Sequence, residues 1–167
     1  MRANNNKGLS YVEMLMVLAV MAIMLGMVTI SIGTINRNTI SRSSERLESL
    51  LNKARTSALT KGKEKGFMNF VEYGNGVFVY VGEQVDDPAE VRKKGEKICS
   101  SEYEILFKFG GTSFTSSKDK AVHRVGFQQS TGGVLGNLDG SFVVRKKNNT
   151  TKQSAFQVYG LTGKTYR

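Results

Sequence analysis

Four residue types are scarce or absent in this chain of 167 residues: it has no tryptophan, one cysteine, one proline and one histidine. A single cysteine, Cys99, excludes an intramolecular disulfide, so the fold must hold by packing alone. With His123 as the one histidine, a metal site would have to draw on carboxylates and one thiol without recognisable spacing. Neither a metal nor another cofactor is expected. No G-x-S-x-G, H-E-x-x-H or paired-carboxylate motif occurs, and an enzyme is not expected. The one proline, Pro88, leaves Leu9 through Thr60 free of proline, so a single long helix is expected there with Gly26 and Gly33 as its weak points, and 18 glycines in all favour turns elsewhere. Acids are outnumbered by 24 basic residues to 14, a formal charge of +10. That balance suits anionic partners such as nucleic acid, lipid headgroups or wall polymers without choosing among them.

What is present begins with a long apolar run. From Met14 to Val28 every side chain is apolar or glycine, and Ile30 and Ile32 carry the run further. Roughly 17–25 such residues cross a bilayer as helix. The segment before it carries Arg2 and Lys7 and no acid, which keeps the N-terminus cytoplasmic by the positive-inside rule. A secretory signal peptide has a core of only about 7–15 residues ending in a small-x-small site; Ser31-Ile32-Gly33 could serve as one, but the core here is longer. A plain single-pass anchor explains length and orientation. It leaves Glu13 unexplained, since an acid at a membrane helix centre costs about 2.5–3.5 kcal/mol on insertion scales.

The stretch KGLSYVEMLMVLAVMAI, Lys7 to Ile23, resembles the processing signal of type IV pilins and type II secretion pseudopilins. It has a short basic leader ending in glycine, then an apolar residue, a hydroxyl residue, and a glutamate ahead of an apolar helix. The resemblance implies that a prepilin peptidase cuts between Gly8 and Leu9 and methylates the new amine of Leu9. It also implies that Glu13 of one subunit neutralises the Leu9 amine of a neighbour as N-terminal helices pack. Such a pair scarcely exceeds its own desolvation cost, so its role is to set register between subunits. Leu9 stands where phenylalanine is more usual. The implied partners are other pilins, the peptidase and, before assembly, inner-membrane lipid. The implied location is the cytoplasmic membrane with the head outside, then a pilus or pseudopilus at the cell surface or in the periplasm.

Three segments follow from this reading: a leader over 1–8, a transmembrane or filament-core helix over 9–35, and an amphipathic helix with a β-rich head over 36–167. Leu47, Leu50, Leu51, Ala54 and Ala58 recur at helical spacing, and Gly62 to Gly66 reads as helix stop and turn. Strands are predicted at 67–73 and 77–82 around Gly74-Asn75-Gly76, then at 103–109, 122–127, 141–146, 155–159 and 164–166. The residues from Glu83 to Lys97 read as a loop. The fold class expected is α+β and pilin-like, one long N-terminal helix laid against an antiparallel sheet. LLNKARTSALTKG, RVGFQQSTGGVLG and FQVYGLTGKTYR also resemble, more loosely, the GspH/FimT-like minor pseudopilins.

Gly160-Leu161-Thr162-Gly163-Lys164-Thr165 superficially suggests a phosphate loop, but the required first glycine falls at Val158 and no helix can follow. A β-turn is expected there. Asn148-Asn149-Thr150-Thr151 reads as a polar turn rather than a glycosylation site. Arg145, Lys146, Lys147, Lys152, Lys164 and Arg167 make the C-terminal third basic. They are either solvated strand-edge charges or a candidate patch for DNA or wall polymer. The alternatives to a minor pilin are therefore a DNA-binding competence or adhesion pilin and a membrane-anchored protein that never assembles.

Overall fold

The computed structural model describes residues 10–110, 112–115 and 121–166. The chain divides into two compact units, Met1–Asn38 and Thr39–Arg167. Helix α1, Tyr11–Lys61, contributes to both. Its start is fixed by Ser10, whose hydroxyl accepts the Val12 N–H at 3.3 Å while Glu13 accepts the Ser10 N–H at 2.8 Å. This reciprocal Ser-x-x-Glu cap satisfies donors that the first turn leaves without intrahelical partners. The helix ends at Gly62, whose φ of 100° suits glycine and whose N–H reaches Ala58 O at 3.2 Å.

In the second unit the amphipathic pattern of α1 is realised in packing. Leu47, Leu50, Leu51, Ala54 and Ala58 are all buried. The alanines let the chain pass close: a Cβ on Gly66, just before the first strand, would press on Ala58. After a short 3₁₀ turn at Lys63–Lys65 come β1 (Phe67–Tyr73), β2 (Gly76–Gly82), α2 (Pro88–Lys94) and β3 (Glu96–Ser100). They are followed by β4 (Tyr103–Phe109), β5 (Thr112–Thr115), β6 (His123–Gly126), β7 (Gly140–Lys146), β8 (Asn149–Val158) and β9 (Thr165–Tyr166).

The strands divide into two antiparallel sheets. One has the order β3-β2-β1-β6 and the other β5-β4-β7-β8-β9. Aromatic side chains join them. The Phe70 ring on β1 meets Phe107 on β4 edge-on at 4.4 Å and Phe142 on β7 at 6.3 Å, and within the second sheet Phe142 stacks on Phe156 of β8 at 5.1 Å. Truncating a buried phenylalanine of this kind typically costs about 3–5 kcal/mol. The opposite face of the first sheet is covered as well, by a second cluster of Val71, Val85 and Val91. Asn69, fully buried on β1, holds that cover in place by donating to Glu83 O at 2.8 Å and accepting the Val85 N–H at 3.2 Å.

These features correct the expected architecture. The chain is α+β, but the pilin-like layout of one helix with a membrane half on one antiparallel sheet is not what forms. The strands build two sheets, and among the described residues no helix is long and apolar enough to cross a membrane. The physical reason for the second sheet lies in β1, where Met68 to Val71 are buried in succession and so need cover on both faces. The stretch read as a loop supplies part of that cover. Pro88 at the first helical turn and Asp87 accepting the Ala89 N–H at 3.0 Å start α2 there, and β3 follows directly. Strand β8 also starts earlier than predicted, at Asn149.

Candidate functional site

Gly8 and Leu9, the expected cleavage and methylation positions, lie outside the described residues, as does Arg167. Glu13 is described, and its carboxylate closes the Ser10 cap. From Tyr11 to Leu25 every side chain is exposed, and Glu13 is the one charge among them. A helix segment apolar on all sides leaves all of those side chains exposed to solvent. Such a surface normally marks contact with protein or membrane.

The basic residues of the C-terminal third do not form one free patch. Arg145 lies opposite Glu104 in the β4–β7 ladder, and its Nε reaches the carboxylate at 2.6 Å. Lys146 faces Glu102 at 3.4 Å. Lys147 spans to Glu72 on the other sheet at 2.7 Å, with both side chains largely buried. Three of the six predicted anion-binding residues are thus each matched by an acid. Cross-strand pairing explains this, and it could not be read from sequence because Glu72 is distant along the chain. Lys152 and Lys164 are exposed.

Sequence reasoning gave no role to Arg55, and tertiary structure places it unusually. A Cβ on Gly132 would lie 3.0 Å from Arg55 Nε, and one on Gly163 would lie 3.1 Å from Arg55 Cδ. The side chain therefore runs beside two glycine turns, at φ 67° and φ 65°, and among the described residues its buried Nε has no hydrogen-bond partner. The Gly160–Gly163 turn is the one expected there, closed by Gly163 N–H to Tyr159 O at 2.6 Å. It is pinned by Val134 N–H to Gly160 O at 2.7 Å and by Gly160 N–H to Asp139 at 2.7 Å. Beside it, Tyr159 and Tyr166 stack at 4.4 Å, and lost solvation, then Tyr159, push the Tyr166 phenol above its ordinary pKa.

His123 is buried against the rings of Phe70 and Phe107. Cys99 is buried on β3, and burial pushes its thiol up to about 12. A thiol so rarely ionised is a packing group rather than a nucleophile. Among the described residues no three His, Cys, Asp or Glu side chains gather as a metal site. Comparison of the chain with known protein families, with curated proteins and with solved structures finds no match.

Proposed function

We propose that this protein is a minor type IV pilin or pseudopilin, a structural subunit that joins a filament through its N-terminal helix and presents a β-rich head. The observation that carries this reading is the Tyr11–Leu25 helix, apolar on every face, open on every face, and bearing one acid at its capped start. Burying such a surface needs other helices or lipid, at about 25 cal/mol per Å² removed from water. The order of residues from Lys7 to Ile23 supports processing at Gly8 and methylation at Leu9. Its mechanism is mechanical: helix packs on helix, Glu13 sets the register, and the head makes contacts outside.

The location that goes with this reading is the inner membrane, N-terminus inside and head outside, followed by the filament. It rests on the basic leader and the apolar run, not on a spanning helix among the described residues. Co-expression with a prepilin peptidase tests it by intact mass. The expected product starts at a methylated Leu9. A chain that keeps Met1 in the presence of active peptidase overturns it. The DNA-binding alternative loses support, because Arg145, Lys146 and Lys147 are each paired within the head.

A further inference from the structure

Among the described residues of Thr39–Arg167, the large apolar side chains that stay exposed are Leu59, Leu138, Tyr159, Leu161 and Tyr166. They are not scattered. Leu59 touches the Gly132 turn, where a Cβ would meet its Cδ1 at 3.2 Å. Gly133 abuts the Leu161 carbonyl, and Gly160 abuts the backbone of Leu138, each so closely that a Cβ would sit 2.5 Å away. Tyr159 precedes that glycine and stacks on Tyr166. The last turn of α1, the 132–138 loop and the 159–166 hairpin thus bring all five to one end of the head.

Singly exposed leucines are ordinary, whereas aromatic and aliphatic groups gathered on a rigid backbone are what a protein interface is made of. The rigidity is visible in the glycine-to-glycine packing: Gly163 lies against the Gly132 carbonyl, and three backbone hydrogen bonds of 2.6–2.9 Å close the hairpin and pin it. The charges at this end decide the occupant. Asp139 accepts the Gly160 N–H and Glu48 accepts the Thr165 hydroxyl, so both acids are engaged within the head. Among the described residues Arg55 Nε is unmatched but buried, so the cation this end offers to a partner is the exposed Lys164. Once Arg2 and Lys7 leave with the leader, a second copy still carries a formal charge of +8 and meets this end with like charge.

We infer that the end of the head built from Leu59, Leu138, Tyr159, Leu161 and Tyr166, with Lys164 exposed in the same hairpin, is a docking surface for a different subunit, one presenting apolar side chains and carboxylates. The inference rests on the filament reading and extends it to the head: the N-terminal helix joins the subunit to the filament, and this end selects its neighbour.

The test uses the full chain in cells that assemble the filament. A benzophenone amino acid replaces Leu161, or Gln84 as an exposed control, and the cross-linked peptide is identified by mass spectrometry. The expected result is a cross-link from position 161, not 84, to a different subunit at a surface rich in Asp or Glu. Leu161→Asp should lower recovery in sheared filaments about tenfold while leader cleavage stays intact, and Gln84→Asp should not. Loss caused by Lys164→Glu should be restored by the reciprocal acid-to-lysine change at the cross-linked site. A cross-link to a second copy of this chain, or full recovery of Leu161→Asp, overturns the docking surface and leaves the filament reading standing. Absence of the cleaved wild-type chain from filaments overturns both.

Discussion

Glu13 has two physical roles that a single substitution can separate. Within the chain its carboxylate accepts the Ser10 N–H at 2.8 Å and closes the helix cap. In the proposed filament it also neutralises a neighbour's Leu9 amine. Glutamine keeps the first role and loses the second, since the capping arrangement tolerates either side chain. Valine loses both. Removing a cap costs about 1 kcal/mol, which only frays the first turn. Leaving a buried ammonium without its partner costs about 3–5 kcal/mol, a factor of roughly one hundred to several thousand in subunit affinity. If charge pairing governs assembly, Glu13→Gln and Glu13→Val should both be lost from sheared filaments while both are still cut at Gly8. Far-ultraviolet circular dichroism should show less helix for Glu13→Val than for Glu13→Gln. Wild-type incorporation of Glu13→Gln refutes the pairing argument and assigns Glu13 to the cap alone.

Three further outcomes follow from the head. Asn69→Leu should destabilise it by about 2–3 kcal/mol in denaturant unfolding, because the Val85 N–H and Glu83 carbonyl lose their buried partner; a change under 0.5 kcal/mol contradicts that role. Gly163→Ala should cost more than about 1–2 kcal/mol, since φ is 65° and the new methyl meets the Gly132 carbonyl, and Arg55 stays packed only if that turn holds. Because burial raises the Cys99 thiol from 9.0 to about 12, the folded thiolate population falls about a thousandfold at mildly alkaline pH. Maleimide or disulfide-exchange labelling near pH 8 should therefore proceed only as fast as the head opens, and rapid labelling of the native chain would contradict the burial.

Much of the local structure was legible in sequence. The α1 face from Leu47 to Ala58 was readable because helical spacing repeats every few residues, and β1 and β4 fall where alternating β-branched and aromatic residues place them. The stretch from Glu83 to Lys97 was misread as loop, although Asp87-Pro88 carries a helix-start signal, because its mixed charges mask the two buried valines, Val85 and Val91. The pairing of Arg145 with Glu104 and of Lys147 with Glu72 was not legible, since opposing strands are chosen by register and core packing rather than by neighbours in the chain. Arg55 entered only as part of the LLNKARTSALTKG resemblance; the meeting of two distant glycine turns is what makes it notable.

By itself the sequence determined the apolar N-terminal helix with its one acid, the lack of an intramolecular disulfide, the basic balance, and most strand positions. These depend on composition and short periodicity, which act within a few residues. Only the tertiary structure decided that the strands form two sheets, that the basic run is neutralised from within, and that the exposed leucines and tyrosines share one end of the head. Those outcomes depend on which distant segments bury each other, and long-range burial leaves no mark in any local window of sequence.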